Sequence, residues 1–261
     1  MAKICPLFSG SSGNSTLISC GGHNILIDAG VSAKRISTAL SDNGLTVNDL
    51  DAVLITHAHI DHVQGLRVLL KNKPIPIISS FLTMDKLAED CRLPENAILN
   101  PIESEFEVAN FGIKRFSTMH DSPGSSGYVI TLENGEKVAV CTDLGIVTDE
   151  VRKAITGART VLIESNHDVT MLQKGPYTYD LKKRISGEYG HLSNTACANE
   201  LPNLVKNGAV RFILAHLSRE NNLPEIAKTA AVGRLLTEGM IENEDYLLSV
   251  AGMSNNKTIS I

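Results

Sequence analysis

Three histidines and an aspartate crowd into six consecutive positions of this chain, and this cluster constrains the fold most. It consists of His57, His59, Asp61 and His62, directly after the apolar run 52–55. Imidazole and carboxylate groups are costly to bury unless a positive charge neutralises them, and a divalent metal ion does so. Alternate residues of an extended chain share a face, so the first two histidines can reach one ion. The other two residues lie where a predicted helix over about 63–72 begins, and they can reach a second ion.

The composition is that of an ordinary globular chain. Its 261 residues are 43% hydrophobic and 20% charged, which suits a single domain over 1–261. The net charge is −5, so binding to nucleic acid would need a local basic patch. Five scattered cysteines without a C-x-x-C pair are typical of reduced core thiols. The sequence shows neither a signal-peptide pattern nor a membrane-spanning stretch, and we therefore expect a cytoplasmic protein without a membrane partner.

Three more metal-type side chains each follow a hydrophobic, strand-like run. His120 follows 113–119, Asp143 follows 137–142, and His216 follows 211–215. One such residue alone is more often an incidental turn residue than a ligand. Together with the histidine-rich segment, the three favour a metal centre at one edge of a sheet.

The hydrophobic pattern predicts strands and helices that alternate along most of the chain. Predicted helices span 33–43 with Ser32 as cap, 63–72, 82–91, 149–156, 177–186, 194–206 and 224–237. Predicted strands span 3–8, 16–20, 24–28, 52–55, 75–78, 105–108, 112–119, 126–132, 136–142, 160–163, 211–214, 246–251 and 257–261. This order is compatible with two sheets covered by helices, an α/β or α+β sandwich.

The order His-x-His-x-Asp-His, His, Asp, His resembles the metal-binding pattern of the metallo-β-lactamase superfamily, over roughly residues 3–218. The resemblance implies a four-layer αβ/βα sandwich and two divalent metal ions, zinc or manganese, with iron as a further option. It also implies that Asp28 supports the histidine-rich loop by hydrogen bonds. The implied ligands are His57, His59 and His120 for one metal, Asp61, His62 and His216 for the second, and Asp143 as the bridge.

A distant Glu and His indicate which reaction such a metal centre serves. Glu164 ends the run 160–163, and His191 precedes the predicted helix over 194–206. The leaving oxygen of a phosphodiester needs a proton, which a carboxylate-held imidazole can supply. The pair resembles that of the tRNA 3′-processing ribonucleases of the superfamily, which implies His191 as general acid. In the resulting hypothesis, Asp61, or the metal-bound hydroxide it orients, is the attacking group. The alternative is that His191 caps or packs against the helix start.

Three segments together resemble one bacterial group of the superfamily, the WalJ (YycJ) proteins. They are FSGSSGNS at 8–15, ESNHD at 164–168 and GHLSN at 190–194. The family activity of that group, 5′-to-3′ exonuclease action on DNA, is therefore the predicted function, with nucleic acid as substrate. Only 22 residues separate His120 from Asp143, and 72 separate Asp143 from His216. These gaps leave no room for the long arm of the tRNA-processing relatives or for the large inserted domain of the β-CASP nucleases.

Contacts to the substrate are expected from these segments and from one basic triplet, Lys182-Lys183-Arg184. The candidates are Ser11, Ser12, Asn14, His167, Ser193, Asn194, Lys182, Lys183 and Arg184. Lysine and arginine side chains suit the phosphate backbone, although a solvated helix face explains the triplet equally well. Asp168 can instead cap a short helix, which would leave His167 as an exposed loop residue.

Two other functions share the same metal motif. A thioesterase or small-ester hydrolase of the glyoxalase II kind is the alternative enzyme. A thiolate leaves without protonation, so that chemistry does not require His191 with Glu164. A metal-stabilised scaffold without activity is the third hypothesis, and the complete ligand set argues against it.

Overall fold

The computed structural model describes residues 2–254 and 257–261, and it places two mixed sheets face to face. The first sheet contains β1 (Lys3–Phe8), β2 (Ser15–Cys20), β3 (His23–Ile27), β4 (Ala52–Leu54), β5 (Pro76–Ser79) and β6 (Ile98–Pro101). The second contains β7 (Glu105–Val108), β8 (Phe111–Ser117), β9 (Ser126–Thr131), β10 (Lys137–Cys141), β11 (Thr160–Glu164), β12 (Arg211–Ala215) and β13 (Leu247–Val250). The last strand, β14 (Ile259–Ser260), joins the first sheet beside β1.

Helices connect the strands and cover the outer faces of both sheets. They are α1 (Ala33–Asp42), α2 (Ile60–Val63), α3 (Leu66–Leu69), α4 (Phe81–Glu89), α5 (Asp149–Ile155), α6 (Val169–Lys174), α7 (Tyr179–Ile185), α8 (Asn194–Lys206) and α9 (Pro224–Leu236), with a short 3₁₀ helix at Val47–Asp49. None of the helices in the described part of the chain is long and apolar enough to cross a membrane.

Three hydrophobic cores hold the layers together. The central core lies between the sheets and takes residues from both, such as Ile25 and Tyr128. A second core lies under α1, α3 and α4, where Ile36 packs with Leu26. A third core joins α5, α8 and α9 to the second sheet. The order helix, sheet, sheet, helix confirms the predicted four-layer αβ/βα sandwich.

The two sheets have the same topology, although the sequence shows no internal repeat of residue identity. From β7 to β13, three antiparallel pairs are followed by three parallel pairs. The first sheet repeats this order from β14 through β1 to β6. Parallel neighbours end at the same edge of a sheet, so the residues that follow them are brought close together.

The predicted helix over 63–72 is wrong, because the chain forms the two single turns α2 and α3 there. In a continuous helix, the N–H of Gly65 would bond the carbonyl of Asp61. Instead, that N–H donates to Ala29 at 2.8 Å, and the carbonyl of Asp61 accepts the N–H of Asn14 at 2.8 Å. Tertiary hydrogen bonds from two neighbouring loops thus replace the helical one at the metal motif.

Most other elements lie within a few residues of their predicted bounds, and α8 matches them. The sequence prediction missed β6 and the 3₁₀ helix, and it offered α6 only as an alternative without bounds. Asp168 caps α6 by accepting the N–H of Met171 at 2.8 Å, which is the alternative that the sequence offered for this residue. Ser32 stands at the N-cap of α1, but its side chain makes no capping hydrogen bond.

The carbonyl of Ile55, next to the metal motif, accepts two buried hydroxyl groups, from Tyr128 at 2.6 Å and Ser79 at 2.7 Å. We expect Tyr128→Phe and Ser79→Ala each to lower the free energy of unfolding by about 1 kcal/mol. The double variant deprives the carbonyl of both donors, so it should lose about 1 kcal/mol more than the sum. Urea denaturation of the four proteins measures this coupling, and additive losses would contradict it.

Candidate metal centre

Polar side chains at or just beyond the strand ends of both sheets lie at one edge of the sandwich. Asp28 follows β3, the histidine-rich segment follows β4, His120 lies beyond β8, Asp143 lies beyond β10, Glu164 ends β11, and His216 follows β12. Asp28, Asp143 and His216 all adopt left-handed backbone conformations, with φ of 64°, 61° and 56°. A non-glycine residue pays roughly 1 kcal/mol or more for this conformation, and such strain concentrates at functional sites.

The first group of potential ligands is formed by His57, His59 and His120. One ring nitrogen from each residue lies within 4.8 Å of those of the other two. His120 Nε2 lies 3.2 Å from His59 Nδ1, and the rings of His57 and His120 meet edge to face. Three imidazoles at these distances match the size of a site for one divalent ion.

The second group is formed by Asp61, His62 and His216. The Nε2 atoms of both histidines lie 3.5 Å from Asp61 Oδ2. Asp143 stands between the two groups, with Oδ2 3.3 Å from His62 Nε2 and Oδ1 3.9 Å from His120 Nε2. Its Oδ1 also lies 3.3 Å from His216 Nδ1, so this single carboxylate is within reach of both groups.

Buried atoms without hydrogen bonds test whether these groups fit metal ions. His57 Nε2, His216 Nε2 and Asp143 Oδ2 are buried and have no hydrogen-bond partner among the described residues. Each such atom costs about 1–3 kcal/mol unless something satisfies it. All three belong to the seven candidate ligands, whose chemistry suits zinc, manganese or iron. The seven residues therefore suit the binding of divalent metal ions.

The buried carboxylates of the centre stabilise positive charge on neighbouring groups. Burial alone would lower the pKa of His216, but Asp143, Asp61 and Glu164 outweigh it and raise the pKa to about 10. By contrast, burial and the neighbouring histidines keep the pKa of His57 well below its usual value. The centre therefore attracts cations while His57 stays neutral, which is the form that binds metal.

Asp28 holds the histidine-rich loop in place. Its Oδ2 lies 2.7 Å from His62 Nδ1, and its Oδ1 accepts the backbone N–H of Thr56 at 2.8 Å. The bond to Nδ1 leaves Nε2 of His62 facing the second group. These are the contacts that the family resemblance implied for Asp28.

Asn14 contacts the centre itself and has no free reach towards a substrate. Its Oδ1 accepts the N–H of Gly10 at 2.9 Å, and its Nδ2 donates to Asp61 Oδ2 at 3.3 Å. The backbone of Gly30 also packs against this segment, where a Cβ atom would lie 1.7 Å from the carbonyl oxygen of Asp61. Only glycine fits there, and we infer that Asn14 positions Asp61.

The Glu164 carboxylate is fully buried, and each of its two oxygens has two hydrogen-bond partners. Its Oε1 lies 2.9 Å from His191 Nδ1 and 2.7 Å from His216 Nδ1, so it orients both rings. Its Oε2 accepts the backbone N–H groups of Leu144 and Leu192 at 3.1 and 3.0 Å. Burial would lower the pKa of His191, but Glu164 raises it above its usual value. His191 can therefore carry a proton beside the metal groups.

The alternative that His191 caps α8 is wrong, because Ser193 does so by accepting the N–H of Ala196 at 3.2 Å. Asn194 is buried and bonds the side chains of Ser165 and Asn222. These contacts give Ser193 and Asn194 structural roles, and the substrate contacts of the half-buried Ser193 stay a prediction.

His167 is also buried, contrary to the exposed loop residue that the alternative described. Its side chain is only 2% exposed, and its Nδ1 has no hydrogen-bond partner in the described part of the chain. Its electrostatic contacts include Glu164 and His191. A substrate cannot reach His167 without local opening. Ser11 and Ser12, in contrast, are exposed.

The basic triplet divides into one residue at the site and two on the surface. Lys182 Nζ donates to the carbonyl of Gln173 at 2.7 Å, and Lys183 is exposed. Arg184 Nε donates to Asp121 at 2.6 Å, and Asp121 Oδ1 lies 3.5 Å from His59 Nε2. The sequence reasoning missed Asp121, and its position directly after His120 is the signal that could have identified it.

The solved structure of YhfI from Bacillus subtilis, a metallo-beta-lactamase fold protein, superimposes with a TM-score of 0.73, and 98% of this chain and 99% of that chain are covered at 16% identity. The family described as "Beta-lactamase superfamily domain" matches residues 23–217. The chain belongs to the metallo-β-lactamase superfamily. It is accordingly a metal-dependent hydrolase, as predicted, and its histidine and aspartate cluster indicates divalent metal binding.

Two curated members of the superfamily are similar over most of their length. "Exodeoxyribonuclease YycJ" of Bacillus anthracis is 33% identical over 241 residues, which cover 89% of this chain and 88% of the relative. "Exodeoxyribonuclease WalJ" of Streptococcus pneumoniae is 34% identical over 237 residues, with the same shares. These relatives confirm the group that the three sequence segments indicated.

Metal loading should stabilise the fold, because ions bound to the folded centre compensate its buried carboxylates. At a free ion concentration a hundred times the dissociation constant, each occupied site raises the free energy of unfolding by about 2.7 kcal/mol. We expect the melting temperature to rise with zinc or manganese and to fall again with a chelator. In Asp143→Asn the rise should be much smaller, because the proposed bridge loses its charge. A chelator-insensitive melting temperature of metal-loaded protein would contradict the proposed centre.

Proposed function

We propose that this metallo-β-lactamase superfamily member is a dinuclear metal-dependent phosphodiesterase that degrades DNA from the 5′ end. The observation that carries the proposal is that one carboxylate, Glu164, holds both His216 and His191. A single buried group thereby fixes a metal ligand and a potential proton donor relative to each other. Hydrolysis of a phosphodiester needs both, since its leaving oxygen must be protonated.

The residues of the site divide the reaction between them. Bound divalent ions supply Lewis acidity at the phosphoryl group and lower the pKa of water. Asp61, whose side chain is 22% exposed, faces the cavity and orients the attacking water. His191 gives the proton on its Nε2 to the leaving oxygen, while Glu164 stabilises the imidazolium from the Nδ1 side.

DNA is the favoured substrate because the two nearly full-length relatives described above are named exodeoxyribonucleases. The 5′-to-3′ direction follows from the family resemblance. A thioesterase of the glyoxalase II kind would use the same metal groups, but it would have no need for the hydrogen bond between His191 and Glu164.

A substrate screen with metal-loaded protein tests the proposal. The substrates are 5′- and 3′-labelled single- and double-stranded DNA, RNA of the same sequence, and S-lactoylglutathione. We expect release of mononucleotides from the 5′ end of DNA. Cleavage of the thioester alone would overturn the proposal, and preferential cleavage of RNA would overturn the assignment of DNA.

Replacing the proton donor should abolish most activity without loss of metal. We expect His191→Ala to reduce kcat on DNA by about 10²–10⁴-fold, the usual contribution of general acid catalysis. His23→Ala is a matched control, because His23 Nδ1 lies 3.1 Å from Asp51 in a similar histidine–carboxylate pair on the surface. Single-turnover rates and metal content should be measured for both variants. Equal rates for His191→Ala and the control would contradict the mechanism.

A further inference from the structure

An arginine at the rim of the metal centre has unused hydrogen-bonding capacity. Arg184, on α7, donates from Nε to Asp121 Oδ2 at 2.6 Å. Its two terminal nitrogens make no hydrogen bond to any described residue, and its side chain is 53% exposed. An arginine fork that keeps two donors on one side suits a phosphate group. The hydrogen bond to Asp121 fixes the direction of these donors.

Asp121 connects this arginine to the first metal group. Its other oxygen, Oδ1, lies 3.5 Å from His59 Nε2 and 3.5 Å from His120 Nε2. His59 Nδ1 faces His120 at 3.2 Å, so Nδ1 is the nitrogen turned towards the first group. A carboxylate at Nε2 therefore favours the tautomer and ring orientation that present Nδ1 to a metal.

The same short segment carries Arg184 and the proposed proton donor. The backbone N–H of His191 donates to Ile185 at 2.8 Å, which closes a tight turn after α7. Within this turn, the carbonyl of Gly190 lies 3.0 Å from His120 Nδ1. A Cβ atom on Gly190 would lie 2.2 Å from the carbonyl oxygen of Arg184, so the turn has no room for a larger residue. Arg184 and His191 are thus held at a fixed spacing beside the first metal group.

Arg184 brings a permanent positive charge to the rim of the metal centre. The hydrogen bond to Asp121 raises the pKa of Arg184, and the charge of Asp61 adds to the effect. Arg184 therefore feels the charge of Asp61 while it is hydrogen-bonded to Asp121. The two lysines before it lie on the surface or bond the carbonyl of Gln173, so they do not share this position.

We propose that Arg184 binds a non-bridging oxygen of the scissile phosphate through its terminal nitrogens, and that Asp121 is a positioning residue that aims both Arg184 and His59. The inference rests on the proposed phosphodiesterase function for its substrate, but its two tests do not depend on catalytic turnover.

The first test measures binding of inorganic phosphate to the metal-loaded protein by titration calorimetry. We expect Arg184→Gln to weaken phosphate binding at least tenfold. The phosphate affinity of Arg184→Lys should lie between those of the wild type and Arg184→Gln. A lysine ammonium keeps the charge but lacks the two terminal nitrogens of the guanidinium. Arg234→Gln is the control, since Arg234, on α9, forms a surface ion pair with Glu238. Phosphate affinity that is unchanged in Arg184→Gln, or lost equally in Arg234→Gln, would overturn the assignment.

The second test measures metal affinity by competition with a chromophoric chelator. We expect Asp121→Asn to weaken binding of one of the two ions by about 10–100-fold, the usual effect of removing the partner of a ligating histidine. Arg184→Gln should retain most of its metal affinity, because it leaves the carboxylate in place. Unchanged metal affinity in Asp121→Asn would overturn the positioning role.

The two proposals can fail separately. If the wild-type protein cleaves no DNA but binds phosphate in an Arg184-dependent way, the proposed substrate is wrong and the phosphate site stands. If the wild-type protein degrades DNA and Arg184→Gln has unchanged KM, kcat and phosphate affinity, the arginine assignment is wrong and the proposed function stands.

Discussion

The buried Glu164 carboxylate is the interaction on which the rest of the site depends. It has no solvent contact, and two imidazoles and two backbone N–H groups use its oxygens. Burial opposes its charge, but His191 and His216 lower its pKa below the usual value. Removing it would leave His191 Nδ1 without a hydrogen-bond acceptor among the described residues, and it would leave His216 Nδ1 with only Asp143 Oδ1, at 3.3 Å. Glu164 therefore couples the geometry of the second metal group to that of the proposed acid.

The chain order explains how two sheets that share no sequence repeat build one centre. Parallel strands in each half end at the same edge, and the residues that follow them carry the metal-type side chains. The left-handed conformations of Asp28, Asp143 and His216 turn the chain sharply at those ends. The central core fixes the two sheets, so ligands from both halves keep their distances.

The layers of the sandwich and the seven candidate ligands could be predicted from the sequence, because each of these predictions depends on local patterns. The hydrophobic pattern of each strand and the side chain just beyond it can be read directly from the amino-acid sequence. The break between α2 and α3 was not predictable, because it depends on tertiary hydrogen bonds of Asn14 and Ala29. The basic triplet was equally ambiguous in sequence, since only the fold places Asp121 beside Arg184.

The central claim is that His191 protonates the leaving group of a phosphodiester at this metal centre. A series of aryl phosphodiesters whose leaving groups span a wide range of pKa tests it most directly. For wild-type protein, log(kcat/KM) should depend weakly on leaving-group pKa, because protonation offsets the developing charge. For His191→Ala the dependence should become steep, with the largest losses for poor leaving groups. Parallel lines for the two proteins would contradict the account.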